Sequence, residues 1–243
     1  HYRETRRTED LLALADSLYK AAEVPEEKPT AVADPAAVAR VQSLATAIRN
    51  DREASQLLVR HAAEAGAKLG TLSSGTWDLI ASLAEREGRL DQAETALRAA
   101  IRVRHDHAVG MHLLQVLEKQ RKWESLRQTS DALIAASRRD QKRYLSYEIA
   151  QATALAELGG LENARKALEI VDGLPDRTNA DGLLPTKLQR PRMLVKLDRP
   201  ADAAKECEQL LKDFPRPADV ARIRVVYADA LNEMKQPDRA EAE

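Results

Sequence analysis

WDLIASLAEREGRLDQAETALRAAIRVR, Trp77 to Arg104, is the stretch that decides the fold. Before Gly88, the apolar residues Trp77, Ile80, Leu83 and Ala84 recur at steps of three and four, which is one face of an α-helix. After it, Ala93, Ala96, Leu97, Ala100 and Ile101 draw a second stripe of the same period. Between them stand Glu85, Arg86, Glu87, Gly88 and Arg89, a polar run with a glycine, where a helix stops and the chain turns. Two amphipathic helices joined by a short turn can hide their oily faces only against each other and against further helices, so the stretch reads as one unit of a larger stack.

The turn recurs as an eight-residue block along the chain. The six instances are AIRNDREA ending at Ala54, REGRLDQA at Ala93, KQRKWESL at Leu126, ELGGLENA at Ala164, KLDRPADA at Ala203 and EMKQPDRA at Ala240. Their ends lie 33 to 39 residues apart, the period of a helical-hairpin array. Each block holds breakers or polar residues in its middle (Asn50-Asp51, Gly88, Gly159-Gly160, Asp198), then an apolar residue or proline that opens the second helix: Leu90, Trp123, Leu161, Pro200, Pro237. The closing residue is small in five blocks, so two helices can approach closely there. Stripes continue through Leu113, Leu114, Leu117, then Leu126, Leu133, Ile134, then Ile149, Ala152, Leu155, then Ala164, Leu168, Val171. Asp34 before Pro35, Ser73 and Asp140 are placed to cap helices.

Composition agrees with an all-α chain. Aromatic residues are 3% of it, and alanine, leucine, arginine and glutamate abound, which favour helix over strand. Lys+Arg is 38 and Asp+Glu is 39, so no cation surplus exists to displace counterions from a nucleic acid, and that partner class is not expected. No apolar run approaches the roughly 18–20 residues that span a bilayer, so the segment reads as soluble, cytoplasmic or periplasmic. One cysteine, Cys207, excludes an internal disulfide framework.

With these residues in view, the chain resembles the tetratricopeptide repeat family, and more specifically a bacterial-type member. Trp77 is similar to the aromatic of that family's first helix, Gly88 to its turn glycine, and Ala93 and Ala100 to its two small second-helix residues. Pro215 occupies the closing-proline place in the fifth hairpin, where His105 stands in the second. The resemblance covers about residues 35–243 and departs from the family in longer periods and an irregular first helix. It implies a right-handed superhelical solenoid of about six antiparallel helix pairs, whose first helices line a concave groove that holds a partner protein or peptide. The groove residues it implies are Asp78, Ser82, Glu85, Arg86, Met111, Gln115, Lys119, Ile149, Arg192, Lys196 and Asp229. The family's carboxylate-gripping clamp would fall on Asp78, Ser82, Met111 and Gln115, residues that cannot form it, so capture of a chaperone tail is not expected.

The expected organisation is an N-terminal helix and linker over 1–33, with the repeat array over 34–243. The leading helix spans Thr8 to Ala22, with Leu11, Leu12, Ala15, Leu18 and Tyr19 on one face, followed by a proline-containing connection from Val24 to Asp34. Residues 66–75 and 173–185 read as longer inter-repeat loops. Pro191 falls where the first helix of the fifth hairpin should run, which calls for a late start near Gln189 or a kink. The chain opens at His1 rather than at methionine and closes at Glu243 within a helical pattern, so a piece of a longer protein with a frayed last helix is expected.

No catalytic constellation stands out. GAKLGTLSSG lacks the Gly-Lys-Ser/Thr ending and the preceding strand of a phosphate-cradling loop. His105, His107 and His112 lack zinc-ligand spacing and are expected in solvent, and Cys207, between Ala203, Ala204, Leu210 and Leu211, is expected as a buried inert thiol. No cofactor or metal is expected. Lys187, Arg190, Arg192, Lys196 and Arg199, with only Asp198 opposing in sequence, form a basic stretch that reads either as a solvated face or as a landing site for an acidic segment. The function expected is an interaction scaffold; the alternative is a regulatory or targeting module of a larger enzyme, signalling or envelope-assembly protein.

Overall fold

The computed structural model describes residues 2–22, 35–65, 72–139, 144–174, 187–236 and Ala240, with backbone alone at 2–6 and 63–65. Among the described residues there are twelve helices and no strand: α1 (Tyr2–Ala22), α2 (Pro35–Asn50), α3 (Arg52–Ala65), α4 (Ser74–Arg86), α5 (Leu90–Val103), α6 (His107–Lys119), α7 (Trp123–Arg139), α8 (Leu145–Leu158), α9 (Leu161–Asp172), α10 (Gln189–Lys196), α11 (Pro200–Asp213) and α12 (Pro217–Glu233). They form two compact units, His1–Gln120 with α1 to α6 and Arg121–Glu243 with α7 to α12. The connection at 24–34, residues 66–71, Asp140 and the loop at 175–186 lie outside the described residues, as does the end of the chain except Ala240.

The blocks read from the sequence share one backbone feature. The third residue of five of them is left-handed: Gly88 (φ 74°), Arg121 (φ 55°), Gly159 (φ 73°), Asp198 (φ 56°) and Lys235 (φ 56°). This is the way a helix ends in a tight reversal, with main-chain N–H groups turned back onto carbonyls the helix leaves open. The N–H of Arg89 donates to the Ala84 carbonyl (2.9 Å), that of Arg199 to Leu194 (2.9 Å) and that of Gln236 to Leu231 (3.0 Å). Glycine holds this conformation without cost, whereas a side chain pays roughly 1–2 kcal/mol for it. Lys235→Gly is therefore expected to raise the unfolding free energy by about 0.5–1 kcal/mol, and Asp198→Gly by less, since aspartate tolerates the region better; urea unfolding midpoints check both. The first block, AIRNDREA, behaves differently. There α2 and α3 are separated by Asp51 alone, whose carboxylate caps α3 by accepting from the Ala54 N–H (3.0 Å), and no left-handed residue is needed.

Each unit buries its own core. In the first unit Leu83, Ala93, Leu97, Ala100, Leu113 and Leu117 are at most 1% exposed. In the second, Leu194, Ala203, Cys207, Leu210, Ile223, Tyr227 and Leu231 form one cluster that Ala240 also joins, beside a smaller one of Ala152, Leu155, Ala167, Val171 and Met193. Each leucine so enclosed contributes about 1.5–3 kcal/mol over its exposed state. The small residues Ala93 and Ala203 are 0% exposed where the second helices cross the first. The helix containing Pro191 starts at Gln189, so the proline sits in its first turn, where no N–H partner is required, and the helix is only eight residues long.

The leading helix is longer than expected, running from Tyr2, and it packs on α2, α3 and α4 as part of the first unit. Leu12 and Ala15 are buried on that face. Two contacts fix it to the start of α4. Asp16, 9% exposed, accepts from the Ser73 N–H (2.6 Å) and the Thr76 hydroxyl (3.1 Å), while its other oxygen meets the Lys20 ammonium (2.6 Å). The Tyr19 ring lies flat against Gly75, where a Cβ would come within 2.8 Å of Cε1 and closer still to Cδ1. Ser73 caps α4 as its position suggested, its hydroxyl accepting from the Thr76 N–H (3.1 Å).

Candidate partner-binding face

Among the first helices of the hairpins, α4 touches α6 in the first unit, and α8 touches α10 and α10 touches α12 in the second. The second helices make no comparable contact, neither α3 with α5, nor α7 with α9, nor α9 with α11. The fold is an all-α array of antiparallel helix hairpins.

In the first unit, α4 and α6 carry a chain of charges. Asp78 and Glu85 stand seven residues apart on α4, and His112 and Lys119 seven apart on α6, so each pair shares one helix face. His112 bridges the acids, Nδ1 to Asp78 Oδ1 at 2.7 Å and Nε2 to Glu85 Oε2 at 2.8 Å, and the Lys119 ammonium donates to the other Glu85 oxygen. The imidazole is half-buried, which corrects the expectation of a solvent-exposed histidine: the carboxylates on α4 offer both ring nitrogens a partner that water would otherwise supply. Only the doubly protonated ring donates at both nitrogens. The hydrogen bond to Asp78 is the main cause holding its pKa above 6.5, opposed by burial and helped by Glu85. Glu85 is held below its ordinary value of 4.5, first by Lys119.

A raised folded pKa means this stabilisation is fully present below about pH 6.5 and lost as pH rises through the folded value. His112→Gln is therefore expected to cost about 1–2 kcal/mol at about pH 6 and clearly less at about pH 9. Urea unfolding of both proteins across that range checks it; a pH-independent difference would show that the bridge does not depend on the charged ring.

The remaining sequence-derived face residues distribute unevenly. Ser82 and Met111 are part-exposed, and Gln115 and Lys119 exposed, on the α4–α6 face. Arg86 is exposed but turns away from this chain of charges, its guanidinium donating to the Arg49 carbonyl at 2.7 Å. In the second unit Ile149 is part-exposed on α8, Arg192 and Lys196 are exposed on α10, and Asp229 is exposed on α12 with Val225 beside it, 61% exposed.

The basic stretch is not open as its sequence implied. Arg190 pairs with Asp172 (2.5 Å) and Glu206, Lys196 with Glu157, and Arg199 with Asp202 (2.6 Å). Glu157, Asp172 and Glu206 come from α8, α9 and α11 and are remote in sequence from their partners, whereas Asp202 stands three residues after Arg199. Cys207 is buried as expected, and burial, with Glu208 nearby, pushes its thiol pKa up to about 12. Where α7 and α9 spread, a cleft of about 820 Å³ opens over α8, with Arg127, Asp131, Glu148 and Lys166 among its walls.

Among the described residues no group of three or more His, Cys, Asp or Glu is placed to hold a metal ion, and no helix is long and apolar enough to cross a membrane. No family model matches the chain, and no curated protein matches it. Among solved structures, a chain of Naa15/Naa10 bound to HypK-THB aligns at 13% identity over 96% of this chain and 35% of its own, with a TM-score of 0.45. The TPR domain of P58(IPK) aligns at 14% identity over 98% of this chain and 70% of its own, with a TM-score of 0.31. The designed helical repeat protein DHR64 aligns at 16% identity over 100% of this chain and 99% of its own, with a TM-score of 0.19. The chain thus spans about a third of the length of the first of these.

Proposed function

We propose that the protein is a non-catalytic interaction scaffold that binds a segment of a partner protein along its first helices. The observation that carries this is the α4–α6 face. Its two helices are in contact, its charges are held in a fixed row from Asp78 through His112 and Glu85 to Lys119, and Ser82, Met111 and Gln115 stand accessible beside that row. A rigid surface of this kind favours a partner because little side-chain entropy remains to be lost on docking. Mixed polar and apolar groups at one-turn spacing suit a helix or extended peptide laid across the two helices. In the second unit, Ile149, Arg192, Lys196 and Asp229 occupy first helices and extend the same reading there.

The test is affinity capture with the chain as bait, identification by mass spectrometry, and direct titration of the captured partner. Met111→Glu with Gln115→Ala is expected to weaken binding by about tenfold or more, whereas Leu161→Ala with Lys166→Ala, on a second helix, leaves it unchanged. Loss of binding in the second pair alone would place the partner on the other side and overturn the reading.

A further inference from the structure

At the turn end of the first two hairpins of the first unit lies a pocket of about 500 Å³ lined by four arginines among otherwise mostly neutral residues. Arg49 at the end of α2, Arg52 at the start of α3, Arg86 at the end of α4 and Arg89 in the following turn all line it, over the buried side chain of Leu83. Glu87 is the single carboxylate among the lining residues. Its oxygens are shut from solvent and accept no hydrogen bond among the described residues, and its charge partner is Arg89 at 3.2 Å. The Arg49 and Arg52 guanidinium groups carry no ion pair among the described residues, and Arg86 spends one N–H on the neutral Arg49 carbonyl, which aims its fork across the crease between hairpins. Three positive charges are left uncompensated around one concavity, in a chain whose overall charge is balanced.

We propose that this pocket binds a phosphomonoester. Arginines brought to one pocket from three chain segments suit an oxyanion that offers several terminal oxygens in different directions, and a dianion offsets more of the mutual repulsion of the arginines than one carboxylate does. The volume leaves room beyond a phosphate ion for the group that carries it, a phosphorylated side chain or a small phosphorylated metabolite. The chemistry of recognition is the same for both. The pocket lies apart from the Asp78–His112–Glu85–Lys119 row, so the proposal stands or falls independently of the partner-binding reading.

The test is titration of the full chain with three probes, followed by nitrogen-15 NMR of backbone and arginine Nε–H signals: inorganic phosphate, a neutral pentapeptide containing phosphoserine, and ribose 5-phosphate. Sodium chloride at matched ionic strength is the reference. Expected is a saturable response centred on Arg49, Arg52 and Arg86, weakened about tenfold by Arg52→Ala and partly kept in Arg52→Lys. Arg98→Ala, on an exposed face with its own Glu94 partner, leaves it unchanged. The Arg52 side chain makes no hydrogen bond among the described residues, so its substitution tests the site even where Arg86→Ala disturbs the fold. The tighter of the phosphopeptide and the sugar phosphate tells which source the pocket serves. No response beyond the chloride reference, or an equal response in Arg52→Ala, overturns the proposal.

Discussion

Gly75→Val is expected to lower the unfolding free energy by about 3 kcal/mol. The position has no room. The Tyr19 ring of α1 covers Gly75 in the first turn of α4, and a new Cβ would fall within 2.8 Å of ring carbon Cε1. The ring is rigid and α1 is itself fixed by Asp16, so α1 as a whole has to lift from α4. A double-mutant cycle isolates the cause. In a Tyr19→Ala background the same substitution is expected to cost less than half as much, because the obstructing ring is gone. Equal costs in both backgrounds would mean the strain lies in the α4 backbone instead. Urea unfolding gives all four corners of the cycle.

Asp16→Ala should cost about 2–3 kcal/mol, the second large effect. The Ser73 N–H and the Thr76 hydroxyl both donate to this carboxylate, Ser73 and Thr76 are 2% and 0% exposed, and water cannot replace the lost acceptor without opening the contact between α1 and α4. Burial works to raise the carboxyl pKa, but the bonds from Lys20, Ser73 and Thr76 outweigh it and hold it below 3.8. A lowered folded value means that this stabilisation is present above about pH 3.8 and lost as pH falls through the folded value. The gap between wild type and variant should therefore stay constant near neutral pH and shrink in acid. A gap that stayed constant into strong acid would show that the ionised carboxylate is not what matters.

Much of this architecture is legible in the residues because it rests on local rules. The steps of three and four around Trp77 and Leu97 are the helix faces that pack, and Gly88 and Gly159 mark where helices reverse. The late start at Gln189 follows from the constraint on Pro191. What the sequence hid is non-local. His112 looks like a surface histidine until α4 brings Asp78 and Glu85 to it, although an acid pair seven apart in one first helix and a His/Lys pair seven apart in the next was a readable signal. Arg190 and Lys196 look like part of an open patch until neighbouring helices supply carboxylates. Asp16 shows no period at all, and only the packing of α1 gives it meaning. Leu161 departs from the pattern in the other direction: it opens α9 where an apolar residue was expected, yet it is 81% exposed.

The left-handed bends at Arg121, Asp198 and Lys235 have a consequence for how such a chain diversifies. The bends at Asp198 and Lys235, like the one at Gly88, are stitched by main-chain amides, so the identity of the outward residue barely touches the packing. The rim where the hairpins turn can therefore exchange acid for base, or base for glycine, at little thermodynamic risk. The surface charge at these turns can change while the helix packing beneath each of them stays the same.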